Sequence, residues 1–214
     1  MTYKLGIAAV LVAGLCGSSV GVLVRLIEDA NGWQILFYRS VSFALLVLAF
    51  MLVRNRRDTF TRFLKTGVWG AVVSICLGSA FIAYIFAVLL TTVASAVFIL
   101  SASPFIAALL SWICLGEKAS RVSWACMTAG LFGVAIMMAE GLLAGSALGS
   151  AVALIAALGY AASIVAYRAG KDIDMMPATC LAGVFAAFVT LFLIDDFMLS
   201  GNDLAIAVLL GTVQ

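Results

Sequence analysis

The sequence predicts an all-α membrane protein, a polytopic bundle of transmembrane helices. Three observations predict it. Hydrophobic residues make up 65% of the chain and charged residues 10%, whereas soluble domains hold roughly 45–50% and about 25%. The apolar residues gather in runs of about 20, the length that crosses a hydrocarbon core of about 30 Å. The short loops between the runs place Lys and Arg almost entirely on alternate sides.

Helical spans are predicted at 5–24, 33–53, 67–88, 94–114, 122–139, 148–167 and 177–194. The runs are too long for barrel strands and lack their period-two alternation. A helix satisfies all its backbone groups within one segment, so helices are the remaining solution. The first run is too long for a signal peptide and no small-x-small cleavage site follows it, so it reads as a retained helix. Trp33, Trp69, Trp112 and Trp124 fall near run ends, where an interfacial aromatic belt forms. An eighth run, 204–214, has 11 residues. At about 1.5 Å per residue it reaches about 16 Å, half a bilayer. The expectation is seven helices and part of an eighth, in a chain cut inside that helix or covered there by a partner.

Orientation follows from charge. With the N-terminus inside, the inner side receives Lys4, Arg54, Arg56, Arg57, Arg62, Lys65, Lys118, Arg121, Arg168 and Lys171, and the outer side only Arg25. Ten against one sets the N-terminus in the cytoplasm. Glu28, Asp29, Glu140, Asp195, Asp196 and Asp203 fall in outer loops. The net charge of +2 therefore reports topology. It is dispersed over short loops and is no nucleic-acid footprint. The lipid bilayer is the expected large partner, with no nucleic acid. The five cysteines show no C-x-x-C spacing and read as buried free thiols. No metal site and no cofactor are expected, and Asp172-x-Asp174 reads as two solvated acids.

A shift of 143 residues lays 7–29 over 150–172. Ala8, Leu11, Ala13, Leu15, Val22, Arg25 and Asp29 then match Ala151, Leu154, Ala156, Leu158, Val165, Arg168 and Asp172. Five helices per unit, an odd number, would invert the second unit in the membrane, a signature of secondary transporters. The units are 1–140 and an incomplete 148–214. Small residues recur at i, i+4 in Ala9, Ala13, Gly17 and Gly21, in Gly70, Ser74 and Gly78, and in Gly149, Ala153, Ala157 and Ala161. Such stripes let helix backbones approach closely, in fixed packing or in a sliding surface.

The stretch 91–138 is TTVASAVFILSASPFIAALLSWICLGEKASRVSWACMTAGLFGVAIMM. With Ala94-Ser95, Pro104, Gly116-Glu117 and Gly130-x-x-Gly133 it resembles the fourth and fifth helices of the EamA domain, a branch of the drug/metabolite transporter superfamily. Tyr38-Arg39 and Gly211-x-x-Gln214 are similar too. The resemblance implies ten helices in an inverted 5+5 repeat in a bacterial inner membrane, multi-pass, with no enzymatic activity. It also implies a secondary transporter, usually an exporter, of amino acids, sugars or other small polar metabolites. Helices 1, 3 and 6 would face the central cavity. The alternative is a non-transporting membrane subunit or a truncated inactive product; a homodimer is a further expectation.

Candidate site residues follow from polarity inside spans. Arg39 is the charge well inside a span; it reads either as an anion site or as a side chain snorkelling toward Glu28 or Asp29. Pro104 removes a backbone donor and predicts a kink or hinge in helix 4, with Ser101 and Ser103 beside it. Ser18, Ser19, Ser79, Tyr84, Tyr160 and Ser163 complete the expected pocket lining, although a serine in a membrane helix often bonds its own backbone. Glu117, with Lys118 and Arg121, reads as a structural residue of the inner turn or as half of a gate ion pair. The chain has no His and no G-x-x-x-x-G-K, which disfavours Ser-His hydrolysis and direct ATP drive. No Asp or Glu falls inside a complete predicted span, which disfavours a cation/proton antiporter.

Overall fold

The computed structural model describes residues 3–27, 30–55, 58–143, 146–194 and 196–213. The described residues form ten helices and no strand. They are α1 (Tyr3–Arg25), α2 (Gly32–Asn55), α3 (Thr59–Lys65), α4 (Gly67–Leu90), α5 (Val93–Leu100), α6 (Ser103–Leu115), α7 (Arg121–Leu143), α8 (Ala147–Ala169), α9 (Met176–Leu191) and α10 (Gly201–Val213). Each predicted apolar run is helical. Gly32–Arg54, Gly67–Leu90, Val93–Leu115 and Ala147–Ala169 are long and apolar enough to cross a membrane. The chain is an all-α polytopic bundle.

Two elements differ from the expectation. The first is α3, seven residues inside what reads as an inner loop. Phe60, Phe63 and Leu64 lie at i, i+3 and i+4, with Arg62 between them and Lys65 after them, an amphipathic turn pair too short to stand out as periodicity. Phe63 packs beside Met51 and Cys180, while Phe60 and Leu64 stay exposed. The second is helix 4, which is two helices, α5 and α6. Pro104 has no N–H to give the Leu100 carbonyl, so the α-ladder stops there. Ser101 Oγ turns back to the Phe98 carbonyl at 2.5 Å, and the Ala102 N–H reaches Ile99 at 3.0 Å, a tighter i→i−3 step. Pro104 then stands in the first turn of α6, where a missing donor is tolerated.

The close of α6 explains the Gly116-Glu117 pair. Gly116 has φ +70°, a left-handed conformation that a Cβ disfavours. Its N–H donates to Trp112 at 3.1 Å, the single 5→1 bond of an αL cap, and that of Glu117 reaches Ser111 at 3.4 Å. The turn aims Glu117 at the end of the bundle.

Small residues stand where helix backbones meet. On α4, a Cβ at Gly78 would lie 2.8 Å from the Ala182 carbonyl of α9. On α8, one at Gly149 would lie 2.7 Å from the Leu90 carbonyl carbon, and one at Gly159 would lie 3.0 Å from the Cys76 carbonyl oxygen, both on α4. On α9, a Cβ at Gly183 would lie 3.2 Å from the Ser40 carbonyl of α2. On α10, one at Gly211 would strike Ser42 Oγ and the Arg39 carbonyl of α2. Ser74 adds a cross-helix bond, its Oγ donating to Ala178 at 3.0 Å. Thus α2 packs on α9, α4 packs on α8 and α9, and α10 packs on α1 and α2.

The loops sort to two ends. Arg62 of α3 pairs with Asp174 before α9, and Arg168 at the end of α8 pairs with Glu117 at 3.3 Å. These define a basic end. At the other end Gln34 Nε2 donates to the carbonyls of Asp196 and Met198 at 2.9 and 3.1 Å, and Tyr38 Oη donates to Phe197 at 2.7 Å. Asp203, read from sequence as an outer-loop acid, is instead buried in the first turn of α10, its N–H donating to Ser200 Oγ. Glu28, Asp29 and Asp195 lie outside the described residues.

If backbone contact at the crossings holds the bundle, Gly78→Leu and Gly211→Leu each cost about 1–3 kcal/mol through overpacking. Gly201→Ala, with no described atom within 4 Å of the new Cβ, should cost nothing. Melting of each variant in detergent, followed by size exclusion, checks this. Equal melting temperatures for all three would refute it.

Candidate substrate site

Between α1, α4, α5 and α8 lies a cavity of about 360 Å³. Tyr84 and Tyr160 face it from α4 and α8, with Phe81, Val97 and Leu100 completing much of the wall. Gly14 and Gly17 open it on the α1 side: no described atom lies within 4 Å of a Cβ built at either. The next glycine of that stripe, Gly21, is packed against Val93. The α1 glycines therefore do two things, touching a neighbour at Gly21 and leaving space at Gly14 and Gly17. The volume lies within the usual range for small-molecule sites, roughly 300–1,000 Å³.

Arg39 sits behind this wall. Its residue is 1% exposed, so it does not snorkel to an interface. The guanidinium carbon lies 5.1 Å from the centroid of the Phe81 ring. Nε, Nη1 and Nη2 have no hydrogen-bond partner among the described residues. A cation over an aromatic face gains about 0.5–2 kcal/mol. An uncompensated buried charge costs on the order of 3–5 kcal/mol. The ring alone does not balance the charge.

The other predicted residues scatter. Ser79 faces a different groove of about 500 Å³, lined by Trp33, Phe86, Phe185 and other apolar residues. Ser19 Oγ donates to Cys16 and Ser163 Oγ to Tyr160, both at 2.7 Å within their own helices. Ser101 bonds Phe98 in the same way, and Ser103 is buried. The Ser18 side chain lies outside the described ones. Pro104 is exposed beside the α5–α6 break. Glu117 sits at the basic end, paired with Arg168. Sequence reasoning missed Gly14, Phe81, Val97 and Leu100 as lining. Nothing in an apolar residue distinguishes a cavity wall from a packed or lipid-facing surface.

A larger space, about 610 Å³, opens at the basic end between Asp58, Arg62 and Lys65 on one side and Asp172 and Asp174 on the other. Its charges face one another, as the Arg62–Asp174 pair does, and it lies outside the helical core. The cavity enclosed by α1, α4, α5 and α8 is the better candidate for a bound solute.

Residues 4–139 match the EamA-like transporter family. The chain belongs to that family. It is a multi-pass membrane protein of the drug/metabolite transporter type. No curated protein and no solved structure matches it. The family match covers α1 to α6 and most of α7, and so includes Arg39, Tyr84 and the α5–α6 break.

The basic end makes a pH prediction. Burial raises the Asp174 carboxyl, but the Met176 N–H and the Arg62 guanidinium, helped by Arg54, outweigh it and hold the group below its ordinary value. A depressed carboxyl contributes stability above its unfolded pKa, near 3.8. That contribution disappears as pH falls through the lower folded value. Asp174→Asn should therefore narrow the gap in melting temperature between neutral pH and pH below about 4. A gap unchanged from wild type would mean the pair contributes nothing.

Proposed function

We propose that this EamA-family protein exports a small polar metabolite, such as an amino acid, by alternating access between two inverted units. The first is 1–140 and the second contains 148–214. The proposed setting is a bacterial inner membrane with the basic end in the cytoplasm, as the positive-inside rule requires.

One observation carries this reading. Exchange α1 with α8, α2 with α9 and α4 with α10, and the packing maps onto itself: α4 on α8 and α9 becomes α10 on α1 and α2. The contacts correspond, although the two glycines, Gly78 and Gly211, are not 143 residues apart. Gly78 of α4 approaches the carbonyl of Ala182, and Gly211 of α10 approaches the carbonyl of Arg39. Ala182 stands 143 residues after Arg39, the same offset that aligns 7–29 with 150–172. Gly183 and Ser40, also 143 apart, approach each other where α2 crosses α9. A near two-fold axis through that crossing would account for all three. Two related units about such an axis can rock between two equivalent closures.

The ends suit that motion. The Arg62–Asp174 and Glu117–Arg168 pairs each join a residue of the first unit to one of the second. Exposed ion pairs contribute about 0–1 kcal/mol each, so opening that end is cheap. The opposite end is joined by neutral hydrogen bonds from Gln34 and Tyr38. A cavity between two such closures is what alternating access would use.

Cells expressing the chain and preloaded with labelled amino acids should release at least one of them faster than control cells. Gly17→Leu, which fills the cavity from its open side, should cut that release by about tenfold or more, the effect of about 1.4 kcal/mol of lost binding. Membrane abundance should be unchanged. Release unaffected by Gly17→Leu at equal abundance would remove this cavity from the path.

A further inference from the structure

The buried guanidinium of Arg39 is short of an anion, and the cavity beside it is short of a charge. We propose that Arg39 is the substrate-recognition group of this site and that the substrate is a small metabolite bearing a carboxylate, which pairs with Arg39 when the Phe81 ring turns aside. The proposal rests on the transport reading above and gives it a substrate class.

Three independent observations support it. The first is the absence of any hydrogen-bond partner for the guanidinium nitrogens among the described residues, in a side chain that is 1% exposed. A guanidinium presents five donors in a flat fork, and a carboxylate matches that fork with two parallel bonds. The second is position. Phe81 touches both sides: its ring stacks on Arg39 and also lines the cavity with Tyr84 and Tyr160. Phe81 thus touches both the charge and the open space, and no acid among the described residues lines that space to compete for it.

The third is the comparison of the two halves. The residue 143 positions after Arg39 is Ala182. Both backbones meet a glycine of the neighbouring helix in the same way, Ala182 against Gly78 and Arg39 against Gly211. At this place the scaffold accepts a methyl group, and Ala182 is fully buried there. Packing therefore does not require a charge. The arginine is an addition to one half only, and it makes the site polar in one direction: the carboxylate end of a solute is held toward α2.

The test uses the full chain in nanodiscs of zwitterionic lipid. Its apparent Tm is read with sodium butyrate and with butyramide, the neutral isostere, at matched ionic strength. Butyrate is expected to raise Tm and butyramide to leave it unchanged. Arg39→Met should abolish the butyrate shift. It should also raise the ligand-free Tm, by about 2–4 °C or more, because it removes an uncompensated buried charge. A purely structural arginine predicts the opposite sign for that second readout. Should Arg39→Met not yield folded protein, Arg39→Gln must lose the butyrate shift likewise. Equal responses to butyrate and butyramide in the wild type, or a butyrate shift that survives in either variant, would overturn the proposal. So would an Arg39-dependent shift produced by phosphatidylglycerol nanodiscs and not by butyrate, which would assign the site to a lipid headgroup. Binding does not require transport, so the two readings fail separately. An Arg39-dependent butyrate shift without solute release leaves the site and removes the transporter. Release indifferent to substrate charge and to Arg39 does the reverse.

Discussion

Backbone-to-backbone contact at the helix crossings is the constraint on which the structure depends. In a membrane, lipid tails are as apolar as leucine side chains, so burying one leucine against another gains little. Close approach gains dispersion contact and ordered packing instead, and it needs residues without bulk. Gly78, Gly149, Gly159, Gly183 and Gly211 each bring their helix within reach of a neighbouring main chain. The buried core accordingly holds much alanine, from Ala153, Ala157 and Ala161 on α8 to Ala178, Ala182 and Ala186 on α9. Larger side chains such as Leu11, Phe132 and Phe188 are exposed at the periphery, where lipid would meet them.

That economy of side chains has a consequence for the site. A bundle welded along glycine and alanine seams has few places to leave space. Here the space lies where the α1 stripe ceases to touch, at Gly14 and Gly17. The break between α5 and α6 lies on the same side, with Val97 and Leu100 of α5 reaching the cavity just before it. A proline-terminated ladder and an untouched pair of glycines are both local departures from regular packing, and the cavity lies between them.

Arg39 breaks the same logic in another way. In the α2–α9–α10 core this side chain holds a charge that contact cannot balance, and the buried Ser40 hydroxyl next to it in sequence likewise has no hydrogen-bond partner among the described residues. Its neighbour in sequence, Tyr38, points the other way and ties the start of α2 to the 196–198 loop. Adjacent residues on a helix lie about 100° apart, so one Tyr-Arg pair serves both the end closure and the interior.

Much of this was legible in the sequence. Eight apolar runs, their helical nature and the clustering of basic loops at one end follow from length, composition and charge, because the bilayer constrains each segment separately. The offset of 143 was visible as well, and it relates Arg39 to Ala182 and Ser40 to Gly183. Other features were not legible. The seven residues of α3 are too few for periodicity to register, and Pro104 announces a disturbance without saying whether the helix bends or ends. Polar residues inside spans were natural site candidates, yet Ser19, Ser101 and Ser163 satisfy themselves within one turn. Sequence alone determined that this chain is a membrane-spanning helical bundle with its basic loops on one side, since those properties reside in individual segments. Only the tertiary structure decided where the space lies, which glycines touch and which do not, and that Phe81 touches both Arg39 and the cavity, because these depend on how separate helices meet.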